Sequence, residues 1–140
     1  VILMVFSLFS CSKRPVYPEP KIPGGAVEVS IDALKPGVPI FYTYYYGGRY
    51  GGKKISFFVI KHTENRVESY FDACMRCYPK KLGYRHEGGD MVCRACNMQY
   101  PVTGLSQGFG SCYPIKLDGR LEGGRYRIAL SDIEKMSPKF

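Results

Sequence analysis

A chain of 140 residues, 45% of them hydrophobic and with no second composition regime, supports one compact domain with short tails, and one core is the expectation. Its formal charge of +8 is scattered over pairs such as Lys13-Arg14, Lys53-Lys54 and Lys80-Lys81 with no nucleic-acid motif beside them, so it describes a solvated basic surface and nucleic acid is not an expected partner. A basic face against anionic lipid or an acidic redox partner stays open, and salt-dependent binding would reveal it.

In chain order, residues 1–10 (VILMVFSLFS) are apolar, uncharged and far too short to span a bilayer, and they run into Leu8-Phe9-Ser10-Cys11. That ending resembles the lipobox of bacterial lipoproteins, in which the cysteine thiol is diacylated and becomes the mature N-terminus. Without a starting Met or a basic leader, residues 1–10 read as a truncated signal peptide. The alternative is a buried first strand that happens to end in Cys. An acylated Cys11 would hold the protein on an extracytoplasmic membrane face, each buried CH₂ contributing about 0.8 kcal/mol. Residues 11–25, with four prolines in SKRPVYPEPKIPGG, then form an extended, semi-rigid tether.

Residues 26–140 read as the domain, and their periodicity is that of strands. Val27-Glu-Val-Ser-Ile31 alternates, and Ile40 to Tyr46 (IFYTYYY) is an aromatic β-prone run closed by Gly47-Gly48. Lys53 to Lys61 (KKISFFVIK) has the composition of a buried strand, and Thr63-Glu-Asn65 turns the chain into Arg66 to Phe71. The tyrosines of 42–46 fill a sheet face in this reading; a stacking platform for bases or sugars is the other use. Tyr113 to Leu117 and Arg125 to Leu130 alternate and are joined through Asp118-Gly119 and Gly123-Gly124, which predicts a hairpin. Ser131 to Met136 predicts one helical turn capped by Ser131.

The chemistry sits at Cys74-Met-Arg-Cys77 and, after fifteen residues, Cys93-Arg-Ala-Cys96. A C-x2-C folds into a tight knuckle whose backbone N–H groups point at the sulfurs, and two knuckles complete a four-thiolate shell. Cys74, Cys77, Cys93 and Cys96 are therefore the candidate metal ligands, and spacing alone does not separate zinc from iron. Cys112 has three readings: a thiol packed over the centre, an alternate ligand, or an ordinary buried cysteine. His86, in a polar Arg-His-Glu turn, and His62, at a strand end, read as solvated, and Asn97 fits a left-handed position that Gly would usually take. Tyr78 and Asn97 stand where covalent haem attachment needs His, and no serine, cysteine or carboxylate catalytic constellation is present. The paired glycines lie between strands, without the helix a phosphate cradle needs.

Taken together, Phe58-Val-Ile-Lys61, Phe71-Asp-Ala-Cys74-x-x-Cys77-Tyr-Pro79, Lys81-x-Gly83-Tyr84-Arg85, Gly89-Asp-Met-Val-Cys93-x-x-Cys96-x-Met98 and Cys112-x-Pro114 resemble the FtrD-like family of bacterial and archaeal membrane-associated iron–sulfur proteins, across roughly residues 27 to 135. The resemblance implies an extracytoplasmic cysteine-ligated centre, often encoded with iron-uptake permeases. The family's common Gly-Gly-Cys-Asn-Pro is Gly110-Ser111-Cys112-Tyr113-Pro114 here, and the multi-span segments of many members are replaced by the expected lipid.

A more distant pattern resembles Rieske domains: a similar ligand interval, with Cys77 and Cys96 in place of two His and residues 108–114 as a cover loop. The expected fold is mostly β, an antiparallel scaffold carrying a two-knuckle, zinc-ribbon or rubredoxin-like metal subdomain in a Rieske-like arrangement. An all-Cys centre there should sit at a lower potential than a Rieske one. Three functions follow. The first is a membrane-anchored electron-transfer or metal-handling protein holding an iron–sulfur cluster or mononuclear iron, with a membrane redox or iron-permease partner. The second is a structural zinc ribbon in a binding lipoprotein, and the third a thiol/disulfide protein. An electron carrier or metal-binding protein fits better than an enzyme.

Overall fold

The computed structural model describes residues 13–107 and 112–140. Cys11 and residues 108–111 of the expected cover loop lie outside the described residues. Among the described residues, ten strands form three antiparallel sheets. The central sheet is built from β2 (Ile40–Tyr46), β3 (Lys53–Thr63), β4 (Arg66–Cys74) and β8 (Pro114–Leu117), in the order β2-β3-β4-β8. On one side lies β1-β10-β9, made of Ala26–Ser30, Arg125–Ala129 and Arg120–Glu122. On the other lies the small sheet β5-β6-β7, made of Tyr84–Glu87, Asp90–Cys93 and Gln99–Pro101.

An antiparallel strand usually keeps one face wet, but Ile55 to Lys61 of β3 is buried without interruption because the central sheet is covered on both sides. Successive side chains alternate across it. Ile55, Phe57 and Val59 join Val27, Phe71, Tyr126 and Ile128 in one core. Phe58 and Ile60 join Tyr70, Tyr84, Met91, Tyr100 and four of the sulfur positions, Cys74, Cys77, Cys93 and Cys112, in the other. The aromatic run of β2 packs as a sheet face, with Tyr42 and Tyr44 half-buried against the first core.

Three local expectations change. Tyr113 to Leu117 and Arg125 to Leu130 do not pair with each other: β8 pairs with β4, while β10 pairs with β1 and β9. Alternation states which face is apolar and not which strand lies opposite. The chain changes sheets at Gly119, where a Cβ would stand 2.6 Å from Tyr126 Cε1, and the Ser69 hydroxyl ties the two sheets together by donating to Leu117 O at 2.7 Å and meeting Tyr126 Oη at 2.9 Å. The helical turn is α1 (Leu130–Glu134), entered directly from β10 at Ala129 with no side-chain cap, so Ser131 lies inside the helix. The proline-rich segment is extended but lies on the domain: Tyr17 N–H donates to Thr43 Oγ1 at 3.0 Å, the Tyr17 ring stacks on Phe41 at 4.7 Å, and the Arg14 guanidinium covers the Phe140 ring at 4.8 Å.

The histidines are also less exposed than their sequence neighbours suggest. His62 shares a hydrogen bond with Glu68 Oε2 at 3.0 Å, and His86 lies within β5, where its buried Nε2 has no partner among the described residues. No helix of the described residues is long and apolar enough to cross a membrane.

Candidate metal centre

Each knuckle grows from the end of a buried strand. β4 ends at Cys74, a turn follows, and Cys77 N–H donates to Cys74 Sγ at 2.7 Å. β6 ends at Cys93, whose sulfur accepts the backbone N–H groups of Ala95 and Cys96, while Cys96 Sγ accepts that of Met98. The second loop is closed by Asn97 N–H to Cys93 O at 2.8 Å and Cys93 N–H to Met98 O at 3.0 Å, with Asn97 in the left-handed region at φ 60° as its sequence position suggests.

Register brings the two knuckles to the last strand of the central sheet. Between Tyr70↔Lys116 and Cys74↔Pro114, β4 advances four residues while β8 advances two, and this irregularity carries Cys74 to Cys112. Met75 N–H then donates to Tyr113 O at 3.1 Å, and the buried Tyr84 hydroxyl donates to Cys112 O at 2.7 Å.

Five thiols meet there. The sulfurs of Cys74, Cys77, Cys93 and Cys112 lie within 4.8 Å of one another, and Cys96 comes in from the exposed side with its Sγ 2.7 Å from Cys112 Sγ. Cys112 Sγ is also 2.8 Å from Cys74 Sγ and 3.5 Å from Cys77 Sγ. Burial pushes the Cys77, Cys93 and Cys112 thiols up, and for Cys112 its hydrogen bonds to the four surrounding sulfurs push in the same direction. For Cys96 burial also pulls upward, but hydrogen bonds from Cys112 and from Met98 N–H outweigh it and the thiol moves down. The donor set is soft, all-sulfur and held by knuckle N–H groups, which fits zinc or an iron–sulfur centre and does not fit magnesium or calcium. With metal–sulfur bonds of about 2.3 Å, the sulfurs of a tetrahedral shell stand about 3.8 Å apart, so 4.8 Å is within reach of one small centre. Metal binding would release the protons the buried thiols hold.

Outside the thiols opens a cavity of about 600 Å³, lined by Cys77, Cys96 and Cys112 together with Arg76, Lys80 and Met98. Neither 73–86 nor 91–117, the segments that build the centre, contains an Asp or Glu in its sequence.

One functional neighbour was not legible as such. Asp72, two residues before Cys74 on the same face of β4, is fully buried; its Oδ1 accepts Tyr84 N–H at 2.6 Å, and Arg14 Nε lies 3.8 Å from Oδ2. The signal was a carboxylate inside the apolar run Tyr70-Phe-Asp-Ala, where only a partnered acid is tolerated. Burial raises its pKa from the ordinary 3.8 to about 6, against the opposing pull of Tyr84 N–H, Arg14 and Arg94. The folded state thus keeps a proton that the unfolded chain has lost between about pH 4 and pH 6. Stability should fall by about 3 kcal/mol as pH rises through that window and stay level above it. Asp72→Asn should flatten this slope in denaturation midpoints measured from pH 4 to 7; an unchanged slope would assign it to other groups.

Comparison with curated proteins and with solved structures gives no match. The family model described as membrane iron-sulfur containing protein FtrD-like matches residues 40–140, a span that includes both knuckles and Cys112. The chain belongs to the FtrD-like family of membrane iron–sulfur-containing proteins.

Proposed function

We propose that this chain is a membrane-anchored, extracytoplasmic iron–sulfur protein that carries electrons or handles metal in connection with iron uptake. The observation that carries the reading is the meeting of two N–H-braced knuckles, one after β4 and one between β6 and β7, in an all-thiol site. Cys74, Cys77, Cys93 and Cys96 are the proposed ligands, with Cys112 against them, in a Rieske-like plan where thiolates replace imidazoles. A cluster held there supplies one-electron transfer. The residues around it do the rest: Phe58, Tyr70 and Met91 keep water from the inner side, while the exposed Lys80 on the cavity wall favours an anionic partner. A membrane redox protein or iron permease is the proposed partner. Acylation of Cys11 would provide the anchor, residues 11–25 the connection, and residues 26–140 the metal-binding domain.

The test is metal and acid-labile sulfide content with a visible spectrum, on protein purified without oxygen or chelators. Iron with sulfide-to-iron charge-transfer bands that bleach on dithionite is the expected result. Stoichiometric zinc in a colourless sample would make the knuckles a structural ribbon, and a metal-free protein with oxidised cysteines would support thiol/disulfide chemistry instead.

A further inference from the structure

We infer that Cys96 and Cys112 are interchangeable fourth ligands of the centre, so that the outer sulfur can leave without the shell losing a thiolate. The inference rests on the proposed metal centre. Three features carry it. Cys74, Cys77, Cys93 and Cys112 by themselves form a compact four-sulfur group, so a complete shell exists without Cys96. Cys96 is the exposed one of the five and lines the cavity, whereas Cys112 is 2% exposed and fixed by Tyr84 on its carbonyl. The two competing sulfurs are 2.7 Å apart, so each lies within side-chain reach of the position of the other.

The exchange balances. A sulfur–metal bond to Cys96 breaks and one to Cys112 forms; the Cys112 thiol gives up its proton, and the departing Cys96 thiolate takes one up across the same contact. No electron is gained or lost, and the number of bound thiolates is constant. A site built this way exposes one replaceable ligand on the wall of a cavity large enough to admit a partner's thiolate or carboxylate, which suits transfer of metal to another protein.

The full chain is expressed as wild type, Cys96→Ser, Cys112→Ser and the double variant, and each is reconstituted anaerobically with ferrous iron and sulfide. Iron and sulfide per chain and the charge-transfer spectrum are then measured. Both single variants should keep at least about half of the wild-type iron with shifted bands, and the double variant should lose at least about tenfold. Loss of iron in Cys96→Ser equal to that of the double variant would overturn the inference, because Cys112 would then be no ligand. Equal loss in Cys112→Ser would also overturn it, because Cys96 would then be no substitute. Retention in the double variant would remove both from the shell. Cys112→Ala, compared with Cys112→Ser by circular dichroism of the apo chains, separates a folding defect from lost ligation. A wild-type chain that takes up no metal would count against the proposed function, a result distinct from any of these.

Discussion

Gly83→Ala should destabilise the protein by about 2–5 kcal/mol and weaken the metal centre at the same time. Two costs combine at this position. Gly83 has φ +69°, a conformation that charges an L side chain about 1–2 kcal/mol. Its Cβ would also stand 2.6 Å from Asp72 Cγ, and Asp72 is fully buried with its carboxylate pinned by Tyr84 N–H. That side chain has no solvent to swing into, so the backbone must move. Gly83 O accepts Arg94 N–H at 3.0 Å, and the strain therefore reaches the residue between Cys93 and Cys96. Gly88→Ala is the control: φ is +61° and nothing lies within 4 Å, so it should cost only about 1–2 kcal/mol. Urea denaturation of both variants, with iron content after reconstitution, measures the difference. Equal losses would mean that Asp72 is free to give way.

Phe58→Ala should cost about 3–5 kcal/mol and leave the centre poorly occupied. Phe58 is fully buried on the face of β3 that meets the small sheet, with ring centroids 5.1 Å from Phe41, 5.6 Å from Tyr70 and 6.3 Å from Tyr84. Interiors close-packed to this degree relax little, so the cavity persists. Tyr84 is the neighbour that matters most, since its hydroxyl holds the Cys112 carbonyl from the far end of the ring. Tyr50→Ala, at a residue 97% exposed in the β2–β3 loop, should change neither stability nor iron content. Loss of stability with full iron uptake in Phe58→Ala would show that the small sheet positions the thiols without support from the central sheet.

The two knuckle loops were legible because their code is local. A C-x2-C needs only its own backbone to form a knuckle, and the loop closed by Asn97 at φ 60° is written in four consecutive residues. The strands were legible for the same reason: Val27 to Ile31, Ile40 to Tyr46 and Lys53 to Lys61 carry period-2 or fully apolar patterns that match β1, β2 and β3. Partners across space were less so. Nothing near Tyr113 or Arg125 says that β8 joins β4 while β10 joins β1, because pairing depends on which faces remain to be covered once the sheets stack. His86 was misjudged from its neighbours for that reason as well, and the burial of Asp72 was not legible, since burial of a polar group is decided by the sheet that lands on it.

Local patterns along the chain were enough to set the strands and the two thiol pairs, both of which follow from interactions within a few residues. The tertiary structure decided the rest. It covered the central sheet on both faces, shifted the register of β4 against β8 so that Cys74 meets Cys112, and left Cys96 exposed while the other sulfurs were drawn inward. Those outcomes depend on packing between segments dozens of residues apart, where apolar burial and register, rather than local propensity, set the lowest free energy.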